Sequence, residues 1–280
     1  MTGMAQNDHL SMTLLFFKRQ GGRQRMKYAM ITGASSGIGR EFARQLARKG
    51  YSLILVARRG KRLEKLAQEL VKYGCQTEII AADLSQPKEC VRVMKETKEF
   101  PIKIFINNAG FGACGDFTDT DAATELQMID VNVKAMHLLM KLMLKKMEKQ
   151  ENQGYILNVA SSAGLLPAGP FMATYYATKA YMVSLTRAVA AEQRSKRSRI
   201  YVGALCPGPV DTEFNDVAKV KFALPGITPQ YCASYALEQM RKRKTIIVPK
   251  FTIRAATTMA RFVPQKMLIP VIGQLQKKKF

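Results

Sequence analysis

From Tyr28 onward the apolar residues of this chain fall into two alternating rhythms. Short runs dense in aliphatic and β-branched residues, Tyr28 to Thr32, Ser52 to Ala57, Thr77 to Ala81, Ile104 to Asn107, Tyr155 to Val159, Tyr201 to Leu205 and Thr245 to Val248, predict strands. Between them lie longer stretches with apolar residues at three- and four-residue spacing, such as Arg62 to Tyr73 and Thr124 to Met147, and these predict amphipathic helices. Regular alternation of the two elements predicts a parallel sheet covered by helices on both faces. Right-handed crossovers then give an α/β fold, a three-layer doubly wound parallel sheet of Rossmann type, whose ligand crevice lies beyond the carboxyl ends of the strands.

The flanks break this rhythm. Residues 1–25 hold one short apolar run, Met12 to Phe17, followed by Lys18, Arg19, Arg23 and Arg25. The run is too short to span a bilayer and its charges lie on the wrong side for a signal peptide, so a disordered extension is expected, with the Rossmann-type domain over 26–249. Residues 250–280 form a basic helical C-terminal extension. No acidic residue follows Glu238, while Arg241 to Lys244, Lys250, Arg254, Arg261, Lys266 and Lys277 to Lys279 are basic, and the net charge is +23. With apolar stretches such as Met267 to Ile272, this tail suits an anionic membrane surface, a partner subunit or packing on its own chain. No recognition motif points to specific nucleic-acid binding.

Size and composition add limits. A chain of 280 residues with 47% apolar side chains can bury one large core. Five cysteines, at 75, 90, 114, 206 and 232, are odd in number and without close pairing, which suggests neither a disulfide framework nor structural zinc and fits a reducing cytoplasm, with peripheral membrane contact as a variant. His9 and His137 have no neighbouring carboxylate cluster, so no metal centre is expected.

Two motifs carry chemistry. TGASSGIG, positions 32 to 39, follows the first strand and opens a helix, so Gly33, Gly37 and Gly39, with Ser35, Ser36 and Ile38, can bring backbone N–H groups against a pyrophosphate. Where an acidic residue would hold a ribose 2′-hydroxyl, the second strand ends in Arg58 and Arg59, which suit a 2′-phosphate and predict NADP(H). Further on, Tyr175 and Lys179 stand at i, i+4 spacing and share one helix face. A neighbouring ammonium favours a phenolate, which makes the pair a candidate proton-transfer device.

Taken with NNAG at 107 to 110, the VNV around Asn132, NVASSAG and CPGPVDT, these motifs make the chain from about Lys27 to Val248 resemble the single-domain branch of the short-chain dehydrogenase/reductase family, and its acyl and steroid ketoreductases in particular. The resemblance implies a catalytic tetrad of Asn132, Ser162, Tyr175 and Lys179. It also implies an adenine contact at Asp83 and its neighbour Leu84, support of sheet and cofactor by Asn107, Asn108 and Gly110, and nicotinamide contacts in the segment carrying Pro207, Gly208, Val210 and Thr212. Ser161 is the rival to Ser162, which is preferred for its thirteen-residue interval to Tyr175. Tyr175 would move a proton to or from the substrate oxygen, Lys179 would lower the phenol pKa and hold the nicotinamide ribose, and Ser162 would hydrogen-bond the substrate oxygen. Asn132, a mediocre choice inside a helix, would either hold a relay water or be a plain surface residue.

The segments Leu165 to Met172 and Phe214 to Ile227 predict an apolar, loop-built pocket from Leu165, Leu166, Phe171, Met172, Phe214, Phe222 and Leu224, with Pro225 and Gly226 in a covering loop. A lipophilic ketone or secondary alcohol is the expected substrate, of 3-oxoacyl or hydroxysteroid type. The resemblance further implies a homodimer or homotetramer formed through the helices bearing Asn132 and Tyr175. The competing class is a noncatalytic NADP-binding scaffold or membrane-surface protein, against which the intact tetrad argues.

Overall fold

The computed structural model describes residues 27–150, 153–218 and 226–277. Its first half runs β1 (Tyr28–Thr32), α1 (Gly37–Arg48), β2 (Ser52–Ala57), α2 (Gly60–Leu70), β3 (Thr77–Ala81), α3 (Pro87–Glu96), β4 (Ile102–Asn107), α4 (Ala122–Ile129) and α5 (Met136–Lys149). Then come β5 (Gly154–Val159), α6 (Ala173–Ser195), β6 (Ile200–Leu205), the short α7 (Phe214–Val217), α8 (Pro229–Arg241), β7 (Ile246–Ile247), α9 (Phe251–Met259) and α10 (Gln265–Lys277). The seven strands form one sheet in the order β3-β2-β1-β4-β5-β6-β7, and every pairing is parallel. The strand order reverses between β1 and β4, so the loops after those strands diverge and open a crevice there.

The strands read as continuous apolar runs because both faces of the sheet are covered. β1, β2 and β6 are buried at every position. Side chains alternate between the two faces with a period of two. Ala29, Ile31, Leu53 and Leu55 therefore meet Phe42 and Leu46 of α1, Leu63 of α2 and Met240 of α8. Met30, Ile54, Val56 and Phe105 meet Val93 of α3 and Leu139 and Met143 of α5 on the other face.

One departure from the sequence expectation bears on function. The stretch read as one helix from Thr124 to Met147 is interrupted between α4 and α5 by a π-helical turn, Asp130–Ala135, which adds a residue to the turn and rotates Asn132 into the interior. The C-terminal extension is helical as expected, a pair of helices, α9 and α10, that pack through Ile253 and Ile272 onto the domain. Residues 1–25 and the expected pocket residues Phe222, Leu224 and Pro225 lie outside the described residues.

Candidate active site

The loops after β1 and β4 are tied together across the crevice. Thr32, the last residue of β1, accepts at Oγ1 from the backbone N–H groups of Asn108 (2.9 Å) and Ala109 (3.0 Å), and Asn108 Nδ2 donates to the Thr32 carbonyl at 3.0 Å. The turn into α1 can lie this close only without side chains. Gly33 has φ +65°, and a Cβ at Gly39 would stand 2.4 Å from the Gly33 carbonyl oxygen. Ser36 is extended and caps α1 without a side-chain hydrogen bond to the helix, so the first-turn N–H groups face the crevice unspent. A helix N-terminus in this state favours an anion.

One arginine dominates the basic end of the crevice, and it is Arg59. Its Nη2 donates to Ser36 Oγ at 2.8 Å and to Ser35 Oγ at 3.2 Å, and its Nη1 donates to Glu213 Oε2 at 3.0 Å. Arg62 donates to the same carboxylate at 2.7 Å. Arg62 and Arg59 together hold the Glu213 carboxyl below its ordinary pKa. Arg58, favoured from sequence, also borders the crevice, but the hydrogen bonds to the glycine-rich turn belong to its neighbour.

The opposite end is assembled from β5, the π-helical turn and α6. Tyr175 and Lys179 are buried on one face of α6, with the ammonium 5.6 Å from the centre of the Tyr175 ring. Lys179 Nζ donates to the Val159 carbonyl at the end of β5, at 3.2 Å. Burial without a carboxylate partner depresses the Lys179 pKa to about 8. Burial likewise pushes the Tyr175 phenol up to about 12, with the nearby Ser161 side chain acting in the opposite sense. One sequence expectation changes here. Desolvation is the largest cause of the Tyr175 shift, so the expected depression of the phenol pKa is not seen, while Ser161 and Ser162 both line the cleft with Tyr175.

The π-helical turn gives Asn132 its place. Its amide is fully buried; Nδ2 donates to the Phe111 carbonyl (2.9 Å) and to Thr178 Oγ1 (3.1 Å), and Oδ1 accepts from the Phe111 N–H at 3.1 Å. Both amide hydrogens are thus spent on protein, which leaves neither for a relay water. The side chain acts as a staple joining the loop after β4 to α6. Beneath it, Asn107 donates to the Met136 carbonyl (3.0 Å) and to Asn158 Oδ1 (3.1 Å), while Asn158 donates to Thr186 at 2.9 Å. These buried amides lock β4, β5, α5 and α6 into one register.

The family model for short chain dehydrogenases matches residues 27–221. The chain belongs to that family. This short-chain dehydrogenase is 30% identical over 210 residues to very-long-chain 3-oxoacyl-CoA reductase of Anas platyrhynchos, an alignment that covers 72% of the chain and 65% of the relative. The chain thus spans just under two thirds of that relative's length. Among solved structures it is similar to a short-chain dehydrogenase from Sphingobium yanoikuyae in complex with NADPH, with TM-score 0.77 and 30% identity over 87% of this chain and 95% of the other. It is as similar in fold to a short-chain dehydrogenase/reductase from Burkholderia phymatum in complex with NAD, with TM-score 0.76 and 26% identity over 83% and 92% of the two chains.

In this short-chain dehydrogenase a cleft of about 380 Å³ joins the two ends, within the range of small-molecule sites. Gly33, Ser35, Ser36, Gly37, Ile38, Arg58, Asp83, Leu84, Asn108, Gly110, Pro207, Gly208, Val210 and Thr212 line it, together with Tyr175, Lys179, Ser161 and Ser162. Gly39 stands behind Gly33, and Asn132 behind Phe111. These features fit a dinucleotide: a close-packed glycine turn, free helix N–H groups and a basic end. The apolar wall is Phe111, Met172, Tyr176 and Phe214, of which Phe111 and Tyr176 escaped sequence analysis. Tyr176 had a signal in its place beside Tyr175, whereas Phe111 had none. Leu165 packs against Met182 and Val183, Leu166 packs beside Met172, and neither they nor Phe171 line the cleft. Asn215 was missed as well; its Oδ1 is buried in the cleft wall with no hydrogen-bond partner among the described residues.

Proposed function

We propose that this protein reduces a lipophilic ketone to a secondary alcohol with NADPH, and runs the reverse oxidation with NADP⁺. The observation that carries the reading is the convergence of Ser161, Ser162, Tyr175 and Lys179 at one end of a cleft whose other end is the Arg59–Ser35–Ser36 cluster. When bound, the nicotinamide nucleotide supplies or accepts the hydride. All proton handling falls to side chains of this chain. Tyr175, neutral over the physiological range because burial raises its pKa, donates its proton to the ketone oxygen as negative charge develops there. Ser162, with Ser161 beside it in the cleft wall, donates a hydrogen bond to the same oxygen, and Lys179, cationic below about pH 8, favours the phenolate left behind. Asn132 holds Phe111 and Thr178 in place and touches neither reactant.

Arg59 and Arg58 support a ribose 2′-phosphate, and no acidic side chain stands at the end of β2 to receive a 2′-hydroxyl. Phe111, Met172, Tyr176 and Phe214 support an apolar substrate, and the likenesses to a very-long-chain 3-oxoacyl-CoA reductase and to hydroxysteroid dehydrogenase-like protein 1 support 3-oxoacyl thioesters and ketosteroids alike. Assembly as a homodimer or homotetramer through α4, α5 and α6 is supported by Leu126 and Tyr181, which those helices expose. The deciding experiment follows NADPH and NADH oxidation across 3-oxoacyl thioesters, ketosteroids and small aromatic ketones. Turnover of one lipophilic class with NADPH preferred is the expected result. Tight NADPH binding with no turnover on any of them would instead favour a noncatalytic cofactor-binding protein.

A further inference from the structure

The helices α9 and α10 each present apolar residues both toward the domain and away from it. One set is already used: Ile253 packs against Met182, Val183 and Cys206, and Ile272 is buried with Met172, Tyr175 and Tyr176. Gln276, one turn beyond Ile272, hydrogen-bonds the Tyr176 hydroxyl. The other set faces outward, with Phe251 and Met259 on α9, Met267, Val271 and Leu275 on α10, and Phe262 in the turn between them. Phe262 is 78% exposed and Met267 65%, far more than an isolated surface apolar residue requires. Exposed Arg254, Arg261, Lys266 and Lys277 edge this apolar face, and residues 239–280 contain no acidic residue to offset them.

We propose that α9, α10 and their connecting turn are a docking face for an anionic lipid bilayer, seated on the wall of the catalytic cleft. An apolar stripe flanked by cations of one sign matches the two layers of a membrane surface, hydrocarbon below and anionic headgroups above. A second copy of this chain is a poor occupant, because a two-fold contact would set one basic rim against another. No described helix is long and apolar enough to cross a membrane, so the helices lie on the surface. Docking there brings Tyr176 and Met172, which line the cleft, to within one helix of the lipid. A ketone dissolved in the bilayer would then reach the cleft along a short path, a consequence that rests on the reductase reading, whereas the docking itself does not.

Flotation of the full chain with vesicles tests this without any substrate. Binding to vesicles rich in phosphatidylglycerol, little binding to phosphatidylcholine alone, and release by high salt are expected. Each Lys or Arg at an anionic surface changes partitioning about fivefold, so Arg254→Gln with Lys266→Gln should weaken binding by about 25-fold. The chain is basic throughout, so the decisive variant is Phe262→Ser with Met267→Ser, both exposed and therefore compatible with an unchanged thermal melt. It should weaken binding by about tenfold or more. Unchanged vesicle binding in that variant, or none by the wild type, overturns the proposal. So does sedimentation showing that the variant breaks a dimer while vesicle binding persists.

Discussion

The two ends of the cleft hold their functional groups by opposite means. At the end built by β5 and α6, Tyr175, Lys179 and Asn132 are buried, and the fixing partners of Lys179 and Asn132 include backbone carbonyls, a backbone N–H and the Thr178 hydroxyl. At the basic end Arg59, Arg62 and Glu213 keep between 42% and 48% of their side-chain surface exposed, and the fixing partners are one another. Desolvation is therefore the dominant cause of the pKa shifts at the first end, and ion pairing at the second. In the proposed reading, chemistry falls where water is excluded and geometry is rigid, and recognition of a charged group where partly exposed side chains pair with one another, as Glu213 does with Arg59 at 3.0 Å.

Substitutions should separate the two ends. The largest effect is expected from Tyr175→Phe, which should lower kcat by about 10²- to 10⁴-fold or more while leaving NADPH binding, read by nucleotide fluorescence, unchanged. Retained turnover would remove the acid–base role. Next comes the pair Ser162→Ala and Ser161→Ala: the first should cost about 10²- to 10³-fold in kcat, the scale of one lost donor to a developing oxyanion, and the second only a few-fold. The reverse ranking would transfer the role to Ser161. At the basic end, Arg59→Ala should weaken NADPH binding by about 10- to 100-fold, the scale of a hydrogen bond between charged groups, and leave NADH binding nearly unchanged. Equal loss for both nucleotides would make Arg59 a support of the turn.

The smallest effect concerns stability against pH. Lys179 titrates at about 8 in the folded protein against an ordinary 10.5, so between those values the unfolded chain binds more protons and stability rises with pH. Tyr175, raised to about 12 from 10.0, acts in the opposite sense, and its contribution is lost as pH climbs above about 10. The urea midpoint of the wild type should accordingly gain on that of Lys179→Met between pH 8 and 10. A constant difference across that window would mean that burial is not what displaces the ammonium's titration.

Much of this was legible in the chain itself. Strand positions, the parallel sheet, the glycine turn and the Tyr175–Lys179 pair all rest on short spacings, which local geometry converts directly into shared faces and tight turns. Spacing says less where it runs through a loop. The thirteen residues from Ser162 to Tyr175 cross the irregular segment Leu166–Met172, so the preference for Ser162 over Ser161 rests on the family resemblance. Around Asn132, periodicity predicts a regular helix and carries no mark of the π-helical turn that buries the side chain.

What the sequence by itself determined was the fold, the family and the two sets of groups that border the cleft, because each depends on neighbours within a few residues. Only the tertiary structure decided that Arg59 is bound to Glu213 across 154 positions, that Asn132 joins the loop at Phe111 to Thr178 of α6, and that Phe111 and Tyr176 line the cleft where Leu165 and Phe171 do not. Those pairings join segments distant in the chain. Their partners are set by how helices seat on the sheet, which no local pattern encodes.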